Sequence, residues 1–471
     1  DYNYKGKYLA TFTIRRDASS KFGANNRWGN FPSASLGWRM SDEAFMQPTK
    51  KWLDDFKLRA GYGTTGNSNI GSYNYAFQYA TGDAYMYPIT GSDTDTSQGY
   101  SLSNLGDADA KWETTKMFNV GFDLTAFNNR LTAGFDFYIK KTSDLLVPAN
   151  WSALAGNAAK PSINIGDMKN RGIDFSIGWR DKVGEFGYNI SANISRYVNE
   201  VTRLGSSDLF NTTRLSKVNI TTVGQPVGMF YGYVVDGIYQ SEEDVMAYGT
   251  LPYGVATASD LDPAAWVGRY KLKDVNGDGK IDVDDRTIIG NPHPDLTGGV
   301  NIGLTWRDFD LSTYMYYSIG NDLFKHYEYY TMFGNLQSNY AKDRLVKSWD
   351  PINNPTGTYP LWTTTSGEGA EAGNESNSNY VQDGSYLRMQ TLTLGYSLPK
   401  KLLQKIGFEK LRIYGQISNV FTITGYDGLD PEVRSHTTFE NNYVSSDLNK
   451  GIDYGSYGMP RQFLLGVNVT F

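Results

Sequence analysis

The residues best spaced for chemistry are Asp274, Asn276 and Asp278, with Gly279 immediately after them. Read as a twelve-residue calcium loop, Asp274, Asn276 and Asp278 supply side-chain oxygens at positions one, three and five. Gly279 takes the sharp turn at position six, the Lys280 carbonyl serves position seven, and Ile281 anchors position eight. Asp282 stands at position nine and Asp285 closes the loop at position twelve. A hard cation takes roughly six to eight oxygens, and this spacing wraps them round one point. Asp at position twelve reaches less far than the usual Glu. Such an ion would staple a loop rather than catalyse. The same Asp, Asn and Gly composition also builds a turn without metal.

Little else in the chain has the spacing of a reactive centre. His293, His326 and His436 are scattered through different loops, with no zinc spacing, and read as loop surface. There is no phosphate-binding Gly-Lys-Ser/Thr loop, no HExxH and no nucleophile elbow. Carboxylate pairs such as Glu242–Glu243 and Asp284–Asp285 are plentiful, but none stands out as a glycosidase pair. Trp151, Trp266, Trp349 and Trp362 suit loop packing or a membrane-interface girdle better than stacking on a ligand. With no Cys there is no disulfide, Fe–S cluster or thiolate zinc site. The net charge of -6 argues against binding nucleic acid through its phosphates.

The elements that must hold these loops read as strands. Gly is 50 and Tyr 35 of the 471 residues, and aromatics reach 14%, a turn-rich all-β composition. Mean hydropathy is -0.47 and no run of 18 apolar residues exists, so the sequence has no transmembrane helix. A membrane barrel stays open, because alternation dilutes its apolar positions. From Gln462 onward, Phe463, Leu465, Val467, Val469 and Phe471 fall on one face, and Leu464, Gly466, Asn468 and Thr470 on the other. The same period-two pattern recurs near residues 8–14, 34–40, 56–62, 118–124, 131–139, 173–179, 188–194, 300–306, 311–317, 392–398 and 411–417. An extra strand fits Tyr73, Tyr75, Phe77 and Tyr79. The pattern predicts polar links over 15–33, 140–172, 195–297, 318–391 and 418–462, the longest being 195–297.

Strands of roughly ten residues suit a tilted crossing of an apolar band about 25 Å tall. Short and long connections alternate along roughly twelve strands, which puts every long loop at one end, as in outer-membrane barrels. A secreted β-sandwich or propeller is the competing architecture. On the barrel reading the apolar faces meet lipid and the polar faces line a lumen. Lys57, Arg59, Asp123, Asp136, Asp174, Arg180, Arg412 and Gln416 lie on the polar faces. In a soluble protein the same charges would be a solvated sheet face.

Several ordered stretches resemble the SusC/RagA family of TonB-dependent outer-membrane transporters of Bacteroidota. They are KYLATFTIRRDASSKFG with NRWGNFPSASLGWRMSDEAF (7–45), LRAGYGTTGNSNIGSY (58–73), KWETTKMFNVGFDLTAFNNRLTAGFDFY (111–138) and INIGDMKNRGIDFSIGWR (163–180). GQPVGMFYGYVVDGIYQ (224–240), the calcium-like loop with Arg286, Ile289-Gly290 and Gly298-Gly299, GSYLRMQTLTLGYSLP (384–399), SNVFTITGYDGLDPE (418–432) and the Phe-terminated last strand complete the set. The resemblance implies a transmembrane antiparallel β-barrel, with residues 1–471 as the C-terminal half of about 22 strands. It also implies that the plug and N-terminal domains lie outside this sequence, on a longer chain or another one.

The resemblance further implies TonB-dependent import of large nutrients, oligosaccharides or peptides, with no enzymatic step. The implied partners are a SusD-like surface lipoprotein over the long loops, TonB with ExbB and ExbD through the N-terminal part, and outer-membrane lipid. A dimer of transporter–lipoprotein pairs would be the assembly. The alternative is a structural or interaction barrel without transport of its own.

Overall fold

Alternation of apolar and polar side chains builds long strands that pair antiparallel with the next long strand of the same unit. The computed structural model describes all residues except 83–84, 90, 92–95, 149–157, 160, 206–207, 214, 334–338, 363–374, 404–407 and 434–447. Trp151 and His436 lie outside the described residues. The chain divides into two compact units, residues 1–207 and 208–471. No helix among the described residues is long and apolar enough to cross a membrane.

In the first unit an antiparallel meander runs β1 (Tyr2–Tyr4), β2 (Tyr8–Ala18), β3 (Trp28–Arg39), β4 (Leu53–Asn67), β5 (Glu113–Ala126), β6 (Leu131–Pro148), β7 (Ser162–Val183) and β8 (Phe186–Arg203). In the second unit β9 (Leu296–Trp306), β10 (Phe309–Ile319), β11 (Tyr386–Ser397), β12 (Lys410–Thr424) and β13 (Gln462–Thr470) continue in the same way. Tight turns have local causes. Phe127, Asn128 and Asn129 all sit in the left-handed region (φ 59°, 60° and 60°), and the Asp54 carboxylate accepts the Asn129 N–H at 2.8 Å. Arg307, at φ 54°, turns β9 back into β10.

The strands outrun their apolar pattern. The predicted link over 15–33 shrinks to 19–27, because β2 continues to Ala18 and β3 begins at Trp28. The predicted loop over 140–172 is mostly strand, since β6 and β7 continue pairing from Lys140↔Asn170 out to Pro148↔Ser162. β7 has 22 residues, about 70 Å at roughly 3.3 Å per residue, far more than an apolar band of about 25 Å needs. Period-two alternation marks only the part of a strand with one apolar environment. Backbone hydrogen bonds carry the ladder on where both faces are wet. The extra strand expected from Tyr73 is not a strand of the main sheet: Tyr73 turns at φ 61°, and only Gln78–Ala80 is extended, pairing with Ser101–Asn104. The strict sorting of connections by length also fails at its first pair. The 19–27 link is shorter than 40–52, which carries two 3₁₀ helices, Met40–Asp42 and Ala44–Lys51.

Burial is inverted relative to a soluble sheet. Phe12 is 69% exposed, Leu36 64%, Phe463 76% and Leu465 81%, all on the apolar faces read from sequence. The aromatic core lies instead in the long connections of the second unit. The 195–297 stretch, expected to be one loop, starts only after Arg203. It holds a four-stranded sheet of Leu209–Thr213, Ser216–Thr221, Met229–Gly232 and Thr287–Gly290. Val235–Ile238 pairs with Tyr270–Leu272 beside it. Leu215, Val218, Phe230, Phe324, Tyr380 and Ile452 form one buried cluster, and Tyr233, Tyr270, Leu272, Ile281 and Trp349 another. Large aromatic side chains that leave water here hold the loops in one conformation.

Candidate functional site

Two regions gather the polar residues: the polar strand faces and the folded long loops. On the strand faces several of the charges are paired. Arg59 on β4 faces Gly121 on β5, and Gly121 faces Asp136 on β6. The Arg59 guanidinium reaches across the glycine to Asp136 at 3.0 and 3.1 Å, and donates to Asp123 at 3.0 Å. The second unit repeats the arrangement. Arg412 on β12 crosses Gly395 of β11 and donates to Asp310 of β10 through Nε at 2.9 Å and Nη2 at 2.5 Å. A Cβ on Gly395 would lie 2.5 Å from Arg412 Nε, so the empty position is what lets the guanidinium through. Of the other predicted polar-face residues, Asp174 accepts from Ser195, Arg180 Nε donates to the Asn129 carbonyl at 2.9 Å, and Gln416 bonds Thr393 and Ser418. Lys57 sits opposite Asp123 in the β4–β5 register. Alternation alone puts Arg59, Gly121, Asp136 and Arg412 on this face, but it does not pick out Asp310 or Gly395. A glycine flanked across the sheet by opposite charges is the signal that finds them.

The calcium-like loop folds as a hydrogen-bonded turn. Gly277 (φ 80°) and Gly279 (φ 86°) take left-handed conformations, the latter at the position expected for the sharp turn. The Asp274 carboxylate accepts N–H groups from Gly277 and Gly279, Asn276 from Asp278, and Asp278 from Lys280. Asp282 accepts from Asp284, and the fully buried Asp285 accepts from Val275 and Asp282. Lys280 Nζ lies 2.6 Å from Asp282 and 3.8 Å from Asp278. The Gly279 N–H holds the Asp274 carboxyl below the usual carboxylate range, and Lys280 does the same to Asp282. Among the described residues no three His, Asp or Glu side chains converge closely enough to hold a metal in this arrangement. The side chains named from sequence are thus on one loop, with their oxygens turned to loop N–H groups and to Lys280.

The loop aromatics and histidines pack. Trp266 and Trp349 are buried, Trp349 donating to Gln240 at 2.8 Å, while Trp362 meets Tyr340 edge-on. His293 and His326 are buried, not on the loop surface as expected; His293 Nε2 lies 2.8 Å from the Val227 carbonyl, and His326 packs on Tyr329, Tyr330 and Tyr454. The His326 ring face is apolar enough to join an aromatic cluster, which polarity alone does not reveal. Buried Glu328 accepts from Lys325 and from the Tyr359 hydroxyl, both at 2.7 Å, and burial pushes its carboxyl upward. Glu242 and Glu243 lie in the first turn of helix Glu242–Tyr248, where its positive end favours them.

Comparison with known proteins accounts for this inside-out distribution. Residues 1–420 match the family described as TonB dependent receptor-like, beta-barrel. TonB-dependent receptor P3 of Formosa agariphila is 34% identical over 481 residues, covering all of this chain and 45% of that protein. TonB-dependent receptor SusC of Bacteroides thetaiotaomicron is 30% identical, again over the whole chain and 43% of its own length. Among solved structures, the RagAB peptide transporter superposes with a TM-score of 0.78 at 26% identity, covering 99% of this chain and 46% of that one. The chain spans less than half the length of these relatives. These relatives are receptors and transporters, not enzymes.

Proposed function

The chain belongs to the TonB-dependent receptor-like β-barrel family as a SusC-like member, and we propose that it serves TonB-dependent import of large nutrients, oligosaccharides or peptides. Its strands are those of an outer-membrane β-barrel, and their exposed apolar faces are the lipid-facing surface. The observation that carries the import reading is the whole-chain match to receptors and to a transporter, joined to strand faces on which Arg59 and Arg412 are each paired with an aspartate. Paired charges keep a wall wet and passive. The long loops, with their own cores, are rigid enough to carry a docking surface and part of a substrate site.

The partners fitting this reading are a SusD-like surface lipoprotein over the loops and TonB with ExbB and ExbD acting through the N-terminal part. The assembly is a dimer of transporter–lipoprotein pairs. Collapsing the proton-motive force in cells carrying the full-length receptor abolishes uptake of the nutrient on which growth depends on it. Uptake that survives the collapse refutes TonB-dependent import. Affinity purification of the tagged receptor in detergent brings down a surface lipoprotein if the pairing is right.

Calcium is the ion proposed for Asp274, Asn276, Asp278, Lys280, Asp282 and Asp285. The donor chemistry supports it: hard oxygens at the loop spacing, and glycines taking the two left-handed turns. When bound, the ion would fix the loop. Lys280, which now neutralises Asp282, must release it.

A further inference from the structure

Among the described residues of the second unit, most cations with buried guanidinium or ammonium groups have carboxylate partners. Arg286 is paired with Glu375, Arg388 with Asp430, and Lys325 with Glu328. Arg344, in the short helix Lys342–Lys347, is 5% exposed and has none. Its Nε and Nη1 are buried without an acceptor among the described residues. Its guanidinium stands 5.9 Å from the Phe333 ring and 6.0 Å from the Tyr359 ring. The acids nearby are committed elsewhere. Glu328 is held by Lys325 and Tyr359, and Asp343 pairs with Lys347 at 3.2 Å.

Arg269 sharpens the imbalance. Its Nε is also buried without an acceptor, and its Nη1 reaches only the Leu361 carbonyl at 3.4 Å. Burial disfavours the charge on both arginines, and Arg269 adds like-charge repulsion at Arg344. A lysine in this position would shed its proton. Arginine cannot, so the charge stays and calls for an anion. Faces of aromatic rings offset part of the cost, worth about 1–2 kcal/mol for a desolvated cation, but they accept no N–H bond in the ring plane.

We infer that Arg344 and Arg269 form a binding site for a carboxylate carried by an incoming ligand, whose two oxygens meet the unpaired guanidinium N–H groups. Only the source of the carboxylate rests on the import reading.

The test uses the full-length receptor in detergent. Sodium acetate, against sodium chloride at equal ionic strength, raises the melting temperature of the wild type and leaves Arg344→Met unmoved. N-acetyl-trialanine with a free C-terminal acid binds roughly 10- to 100-fold tighter than its amide, a preference that falls to near one in Arg344→Met and weakens in Arg269→Met. Arg344→Met folds, because exchanging an unpaired buried cation for an apolar side chain is neutral or stabilising. No acetate shift in the wild type, or an equal shift in Arg344→Met, overturns the site. An acetate shift without acid-over-amide preference overturns the assignment to an incoming ligand. Failure of import in cells leaves the acetate result unchanged, so the two readings fail separately.

Discussion

Gly395 is the position at which a single methyl group should change stability with opposite signs in two backgrounds. A Cβ there would stand 2.5 Å from Arg412 Nε and Nη2 and 2.6 Å from Asp310 Oδ1, all far ends of side chains rather than backbone. In Gly395→Ala the bidentate pair must therefore move apart. The two side chains are 20% and 31% exposed, so solvent screens the pair only in part. An exposed pair contributes about 0–1 kcal/mol and charge-assisted hydrogen bonds about 1.5–3. A loss of about 1–2 kcal/mol is the expected range for this half-screened geometry. Alanine itself favours the strand by roughly 0.5–1 kcal/mol over glycine. The net effect in the wild type is a loss of up to about 1.5 kcal/mol. In an Asp310→Asn, Arg412→Met background there is no pair left to displace, and the same alanine becomes neutral or stabilising. The assay is the urea midpoint of the full-length receptor in detergent, followed by heat-modifiable migration on a denaturing gel. A loss of equal size in both backgrounds refutes the reasoning. Gly121 supplies the contrast. Its Cβ would meet the Phe135 carbonyl at 2.2 Å as well as Asp136, so Gly121→Ala stays destabilising even when Arg59 and Asp136 are removed.

The lipid-facing assignment predicts that Phe12→Lys or Leu465→Lys costs about 2–4 kcal/mol near the middle of the apolar band and lowers receptor in isolated outer membranes, whereas Gln416→Lys on the polar face does not; equal losses at all three sites would reverse the face assignment. Calcium chelation should lower protease resistance of the 195–297 region, and Asp278→Ala should make that resistance insensitive to chelator; a wild type indifferent to chelator removes calcium from the account. Asp274 and Asp282 have depressed folded-state values, so their contribution is complete above the ordinary carboxylate value of about 4 and disappears as pH falls through the lower folded one. Hydrogen exchange at the Gly277 and Gly279 amides should accordingly be pH-independent in protection near neutrality and lose protection in acid. Trp266→Ala, in a side chain that is 1% exposed, should destabilise its loop cluster by about 3–5 kcal/mol, visible as new protease cleavage, while heat-modifiable migration persists.

Local sequence was sufficient for the strands and the face each presents, because a period of two needs no partner to be visible. Phe463, Leu465 and Val467 read as one face and are exposed, as is Leu464 on the other. It was also sufficient for turns at Asn128–Asn129 and Gly279, whose residue types tolerate left-handed backbone. Strand ends were not legible. Beyond the apolar band both faces are wet, the alternation stops, and only pairing with a neighbour, as at Leu146↔Asn164, keeps the chain extended. Nor could sequence show that the 195–297 region folds round Trp266, Tyr233 and Tyr270, since those contacts join residues with no shared period. The ion pairs across Gly121 and Gly395 each need three strands in register, and the unpaired charge of Arg344 is defined by what does not approach it. The sequence by itself determined an all-β chain with a lipid-facing side and a wet side. Tertiary structure alone decided how far the strands run, which charges are satisfied, and which one waits for an anion, because each of these depends on distances between residues far apart along the chain.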